Sequence, residues 1–129
     1  MILKKFEELS KIATKEFADI VIESKILFMP NREPLKLRLF LFDDTIIDIW
    51  LSVKGKYSYH WEQRPIRDFI YRHDNAPHKK WENLKTFPKH FHKGSETAVE
   101  ESYISERPEE AIRDFLQFVR EKMRDYFRK

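Results

Sequence analysis

Leu35-Lys36-Leu37-Arg38-Leu39-Phe40-Leu41-Phe42-Asp43-Asp44-Thr45-Ile46-Ile47-Asp48-Ile49-Trp50-Leu51-Ser52 is the stretch from which the fold class can be read. Leu35, Leu37, Leu39 and Leu41 alternate with Lys36 and Arg38, and Ile47, Ile49 and Leu51 alternate with Asp48 and Ser52. A period of two places one set of side chains on each face of a strand, and Asp43-Asp44 supplies a tight turn between the runs. The stretch therefore predicts a β-hairpin with one apolar and one polar face.

Upstream, Pro30-Asn31-Arg32-Glu33-Pro34 interrupts the pattern, because proline has no amide donor and Asn favours turns. Before it, Asp19 to Phe28 reads as a first strand with Ile20, Ile22, Ile26 and Phe28 on one side. Residues 2 to 17 carry Leu3, Phe6, Leu9, Ala13 and Phe17 at helical spacing and predict an amphipathic helix. Downstream, Gly55 marks a turn, after which Tyr57, Tyr59 and Trp61 share one face and Ser58, His60 and Glu62 the other. Asp68 to His73 predicts a further strand, residues 74 to 86 a loop over one end of the sheet, Phe87 to Lys93 a short extended piece, and Glu96 to Ile104 an edge strand or irregular connection. Pro108, Glu109 and Glu110 suit the start of a C-terminal helix over 107 to 127, whose apolar stripe is Ile112, Phe115, Leu116, Val119, Met123 and Tyr126. The expected class is α+β: a curled antiparallel meander of five to six strands with a helix from each end of the chain packed on it.

The 129 residues, 41% apolar, supply one core, so a single domain over 1 to 129 is expected: helix 1 to 17, sheet 18 to 104 with its loop 74 to 86, and helix 107 to 127. Eleven Phe let a short chain bury much surface, while two glycines leave most turns to Asn, Asp, Pro and Lys. Without cysteine there are neither disulfides nor thiolate metal sites, and the cytoplasm is the expected location. No stretch approaches the roughly 20 apolar residues of a membrane span, and the segment from Met1 to Phe17 has no uninterrupted apolar run. The net charge of +3, the pI near 9.0 and the 36% of charged residues of both signs are compatible with nucleic acid without demanding it. Such charge density with few glycines also suits a thermophilic source.

All five histidines, His60, His73, His78, His90 and His92, fall in one window that also holds Arg64, Arg67, Arg72, Lys79, Lys80, Lys85, Lys89 and Lys93. Interleaved imidazoles and cations suit an RNA backbone. Metal-free RNA cleavage needs a base for the ribose 2′-hydroxyl, an acid for the departing 5′-oxygen and fixed positive charge at the phosphate. His60, His78, His90 and His92 are the candidates for proton transfer, with Tyr59 able to replace or orient one of them. Arg72 is the candidate phosphate clamp, since a guanidinium donates two parallel hydrogen bonds, with Lys89 and Lys79 as point charges. Trp61 or Trp81 could stack on a base, and Asp74 and Asn75 lie beside the clamp.

Each residue also has a structural reading. His60 could satisfy a buried hydrogen bond, Asp74-Asn75-Ala76-Pro77 could be an ordinary turn, Asp74 with Arg72 a structural ion pair, and Tyr57, Tyr59 and Trp61 plain core. His90-Phe91-His92 is the most metal-like feature, because residues i and i+2 of a strand point the same way. His78, Asp74 or His60 would have to complete such a site, and no cofactor is expected. His73 should alternate to the face opposite Arg72 and Asp74.

Three blocks then carry a resemblance: Tyr57-Ser58-Tyr59-His60-Trp61, Arg72-His73-Asp74-Asn75-Ala76-Pro77-His78 and Thr86-Phe87-Pro88-Lys89-His90-Phe91-His92. In this order and spacing they resemble the signature of TumE-type toxins, from about Ala18 onward, with Pro108 to Arg120 similar to that family's closing helix. The resemblance implies the toxin half of a type II toxin–antitoxin module, neutralised by a cognate antitoxin that usually carries a helix-turn-helix domain. Growth inhibition by RNA cleavage is the expected activity, from toxin biology in general. Lys79 and Lys89 stand where relatives commonly have histidine, so neither position is needed as an imidazole here. The helix of residues 2 to 17 exceeds the family's usual start and suits added stability or homodimer contact. A non-catalytic domain that binds RNA or protein, and a metal-dependent hydrolase on His90 and His92, are the competing readings.

Overall fold

Alternating apolar side chains dominate the local structure. In a computed structural model that describes residues 1–128, Leu37, Leu39, Leu41, Ile47 and Ile49 are all essentially excluded from solvent. They belong to β2 (Pro34–Leu41) and β3 (Ile46–Leu51), which pair antiparallel with Leu39 opposite Ile47 and Arg38 opposite Asp48. The hairpin turns at Asp44, whose φ of 68° is in the left-handed region that Asp tolerates. Asp43 Oδ1 accepts hydrogen bonds from the Thr45 amide (3.1 Å) and hydroxyl (2.6 Å).

Among residues 1–128 the chain forms seven strands in one sheet, ordered as in the sequence: β1 (Val21–Phe28), β2, β3, β4 (Tyr57–Glu62), β5 (Ile70–Asp74), β6 (His90–Gly94) and β7 (Val99–Glu101). All neighbours are antiparallel. The architecture is the expected α+β meander, one or two strands longer because residues 90–94 and 99–101 each pair fully. The fifth strand and the connection after it also shift: β5 begins at Ile70 and includes Asp74, so the loop to β6 runs from 75 to 89 and contains a single 3-10 turn, Lys79–Trp81.

β1 departs from its expected facing. Its pairing with β2 slips between Val21 and Glu23, so Ile22 sits in a bulge and is 67% exposed while Val21 is buried. One extra residue on a strand turns all those before it over relative to those after it. Phe28, paired with Pro34, lies at a second irregularity and is also exposed, as is Leu35, which the register skips on β2.

The helices are α1 (Ile2–Glu16) and α2 (Pro108–Tyr126). They cover one face of the sheet. α1 buries Phe6, Leu9 and Ala13 on β1 and β2. α2 buries Ala111, Ile112, Phe115, Leu116, Val119 and Met123, with Phe115 against Tyr59, Phe118 against Tyr71 and Phe91, and Tyr126 against Trp61. Pro108 at the first turn, two glutamates beside it and Arg124 in the last turn agree with the helix dipole. Arg113 to Glu16 (2.8 Å) and Arg120 to Asp19 (2.7 Å) tie α2 to α1 and the segment that follows it. No helix of the described residues is long and apolar enough to cross a membrane. The helices leave the other face of the sheet for polar side chains.

Candidate active site on the open face of the sheet

Cross-strand register places the polar residues. Asp48 faces His60, His60 faces Arg72, and Arg72 faces His92, so four side chains from β3, β4, β5 and β6 form one row on the uncovered face. The next row on that face runs Trp50, Ser58, Asp74, His90. Strands lie about 4.8 Å apart, so the guanidinium of Arg72 emerges between two imidazoles that are roughly 10 Å apart at the backbone. The row between these two, Tyr59–His73–Phe91, points to the helices.

The 75–89 connection folds back over one end of this face. The Trp81 ring lies 6.3 Å from that of His90 and 6.2 Å from that of His92, leaving these imidazoles 2% and 4% exposed. Thr86 fixes the return of the loop: its hydroxyl donates to the Lys89 carbonyl (2.7 Å) and accepts from the Ser102 amide (3.0 Å). Two clefts result. One, bordered by Trp50, His60 and Arg64, meets the other, bordered by Trp81, His90 and His92, at Arg72 and Glu96, which line both.

Arg72 is held from two sides. Its Nε donates to Asp74 Oδ2 (3.0 Å), and its terminal nitrogens donate to both carboxylate oxygens of Glu96 (2.6 and 3.2 Å). Burial opposes its charge, but these hydrogen bonds prevail and raise its pKa. Glu96 is pulled below the ordinary carboxylate range by the same contact. His60 Nδ1 lies 3.3 Å from Arg72, which has only donors, so Nδ1 accepts and Nε2 carries the proton toward Glu62 (3.2 Å). Burial, and then the charge of Arg72, lower the pKa of His60 against the opposing pull of Glu62.

The tautomers of the other two imidazoles follow likewise. His90 Nδ1 is 2.9 Å from the Pro88 carbonyl and His92 Nδ1 is 2.9 Å from the Glu96 carbonyl, so both Nδ1 atoms donate and both Nε2 atoms face inward. His90 Nε2 is 3.0 Å from Asp74 Oδ1, and His92 Nε2 is 3.8 Å from Asp74 Oδ2. Burial, then the Arg72 charge, lower the pKa of His92. Chemically, the face offers a guanidinium fork, a neutral imidazole on one side of it and a carboxylate–imidazole pair on the other.

The family model described as Toxin TumE matches residues 9–123. The chain belongs to the TumE toxin family. No curated protein and no solved structure gives a significant match. A toxin of this family implies a cognate antitoxin. The TumE match reaches back to residue 9, so the second half of α1 is part of the family's pattern rather than a local addition.

Of the candidate residues in this member of the TumE family, His60, Arg72, Asp74, His90 and His92 meet on the open face. Tyr59 and Trp61 do not: they are 1% and 0% exposed on the helix side, where Trp61 Nε1 donates to Thr45 (2.9 Å), so neither ring faces the histidine cluster. Asn75 bridges two turns, accepting from the Tyr57 amide (3.0 Å) and donating to the Gly55 carbonyl (2.9 Å). Lys89 donates to the Ile104 carbonyl. His78 and Lys79 stay at the rim, where His78 Nδ1 accepts from the Lys80 amide (3.1 Å) and caps the 3-10 turn. His73 lies on the helix side as alternation requires, stacked on Phe91 with ring centroids 4.1 Å apart, and burial takes its pKa down to about 4. Glu96 and Glu62 were missed. The signal for Glu96 was the Gly94-Ser95 turn, which in a tight hairpin returns the chain beside His92.

Proposed function

We propose that this TumE-family toxin inhibits growth by cutting RNA on the open face of its sheet, through Arg72 and flanking imidazoles and without a metal ion. The observation that carries this reading is the row His60–Arg72–His92 with His90 next to His92 on the same face, its ring 4.9 Å away, which sets a two-pronged cation between groups able to accept and deliver protons. A phosphodiester that displaces Glu96 from the Arg72 fork would receive two parallel charge-assisted hydrogen bonds. His60, neutral and with its Nδ1 lone pair beside the fork, takes the proton of the 2′-hydroxyl. The 2′-oxygen attacks phosphorus and the P–O5′ bond breaks. His90, whose Nε2 contact with Asp74 calls for a proton between them, delivers it to the departing 5′-oxygen, with His92 alongside. The products are a 2′,3′-cyclic phosphate and a 5′-hydroxyl. The antitoxin of the pair, with a helix-turn-helix domain, would neutralise the toxin by direct contact.

The test is induction in a bacterial host, followed by growth measurement and RNA analysis, for wild type, His60→Ala and His90→Ala. Growth arrest with cut RNA is expected for wild type alone. Intact RNA under arrest supports a binding toxin instead. Cleavage by purified toxin that ceases with a chelator and resumes with a divalent ion overturns the metal-free chemistry.

A further inference from the structure

Beneath Trp81, three polar side chains converge where solvent scarcely reaches. Asp74 is 8%, His90 2% and His92 4% exposed. One donor atom of each lies within 4.8 Å of the other two. The backbone carbonyls of Pro88 and Glu96 take up the Nδ1 protons of His90 and His92, so both Nε2 lone pairs are directed at the Asp74 carboxylate. Three electron-pair donors facing one another at the shielded end of a cleft favour an electrophile between them. A proton satisfies one contact, that of His90 with Asp74 at 3.0 Å, but leaves His92 Nε2 at 3.8 Å without a hydrogen bond. A cation would satisfy all three.

The surroundings suit a metal ion. Metal-bound histidine almost always donates its other ring N–H to a carbonyl or carboxylate, which fixes the tautomer and aims the ligand nitrogen, and both imidazoles have such a partner. Asp74 is steadied by the Ala76 amide on Oδ1 (3.0 Å) and by Arg72 Nε on Oδ2 (3.0 Å). The nearby guanidinium charge is offset by Glu96, which grips its other side. Imidazole nitrogens select zinc-class transition ions over magnesium or calcium, and three protein ligands leave a coordination position open.

We infer that Asp74, His90 and His92 bind one divalent transition-metal ion, through a carboxylate oxygen and two Nε2 atoms, in exchange for the proton between His90 and Asp74. Binding does not depend on the ribonuclease chemistry; its consequence does. If His90 supplies the leaving-group proton, an ion in that place silences the toxin.

The test is titration of the purified, chelator-treated full chain with Co2+ and Zn2+, followed by visible absorption for Co2+ and by calorimetry, with imidazole 15N signals recorded in parallel. One equivalent is expected to bind, moving the Nε2 signals of His90 and His92 but not those of His73. Asp74→Asn and His90→Ala should weaken binding at least tenfold, whereas His78→Ala, which alters the rim, should not. Absence of stoichiometric binding, or unmoved His90 and His92 signals in the wild type, overturns the site even if a variant fails to fold. RNA assays are read separately: cleavage suppressed by Zn2+ supports both inferences. Binding without any cleavage retains the metal site and rejects the nuclease, while cleavage without binding does the reverse.

Discussion

Arg72 and Glu96 set the character of the open face at the residue scale. A carboxylate holding both prongs of a guanidinium occupies the position a phosphate would take. Glu96→Gln should therefore raise RNA affinity severalfold, measured by fluorescence anisotropy at fixed salt; unchanged or weaker binding would argue that RNA does not use this fork. The charged groups also fix the response to acid. Arg64 holds Glu62 down to about 2, and the shifted carboxylates of Glu16, Asp19, Asp48, Glu96 and Glu109 are all lowered. A group with a lowered folded pKa stabilises above its unfolded pKa and loses that contribution as pH falls through the folded one. His60, His73 and His92, lowered mainly by burial, act in the same direction, because the unfolded chain takes up their protons first. Urea unfolding at pH 7, 5 and 3 should show stability falling at each step, and a maximum at pH 5 would contradict this. Of the individual pairings, that of Arg72 with Asp74 is legible in the sequence, two residues apart, whereas those with Glu96, from a different part of the chain, are not. Tyr59 and His60 are adjacent in the chain, and only the two-residue period, once the strand was recognised, told that they face opposite ways.

Elements were legible where their apolar period was uninterrupted. The leucine and isoleucine run of β2 and β3 and the stripe of α2 follow the sequence pattern because each buries one face against the same core. β1 followed it only in part, since a bulge at Ile22 adds a residue that alternation alone does not reveal. The 75–89 connection is legible as a loop lying over one end of the sheet, but the contacts that close it are not, because they are distant in the chain: the Ser102 amide on Thr86 and the histidine rings under Trp81. Trp81→Ala should open this cover. We expect faster amide and imidazole exchange around His90 and His92 with little change in global stability, readable by hydrogen exchange. Phe115 differs: it is 1% exposed between Tyr59, His73 and Phe118. Phe115→Ala should cost about 3–5 kcal/mol in urea unfolding, the usual loss for emptying an aromatic site in a core. A loss under about 1 kcal/mol would mean that α2 is not packed as described.

At the scale of the whole molecule, the sheet divides labour between its faces. Tyr59, Trp61, Tyr71 and Phe91 bind the helices, while the residues between them, His60, Arg72, His90 and His92, are thereby carried to the opposite side on rigid strands. Strand-borne groups hold their spacing better than loop-borne ones, which suits chemistry that depends on a base and an acid astride one phosphate. The most direct test is cleavage of single-stranded RNA by the purified protein in the presence of a chelator, comparing wild type with His60→Ala and Arg72→Lys. Wild type should yield 2′,3′-cyclic phosphate ends, with the rate reduced on the order of 10²–10⁴-fold by loss of the His60 imidazole and at least about tenfold when Lys replaces the guanidinium fork. Intact RNA with wild type, or variants that cleave as fast as wild type, would contradict the assignment of this face as the active site.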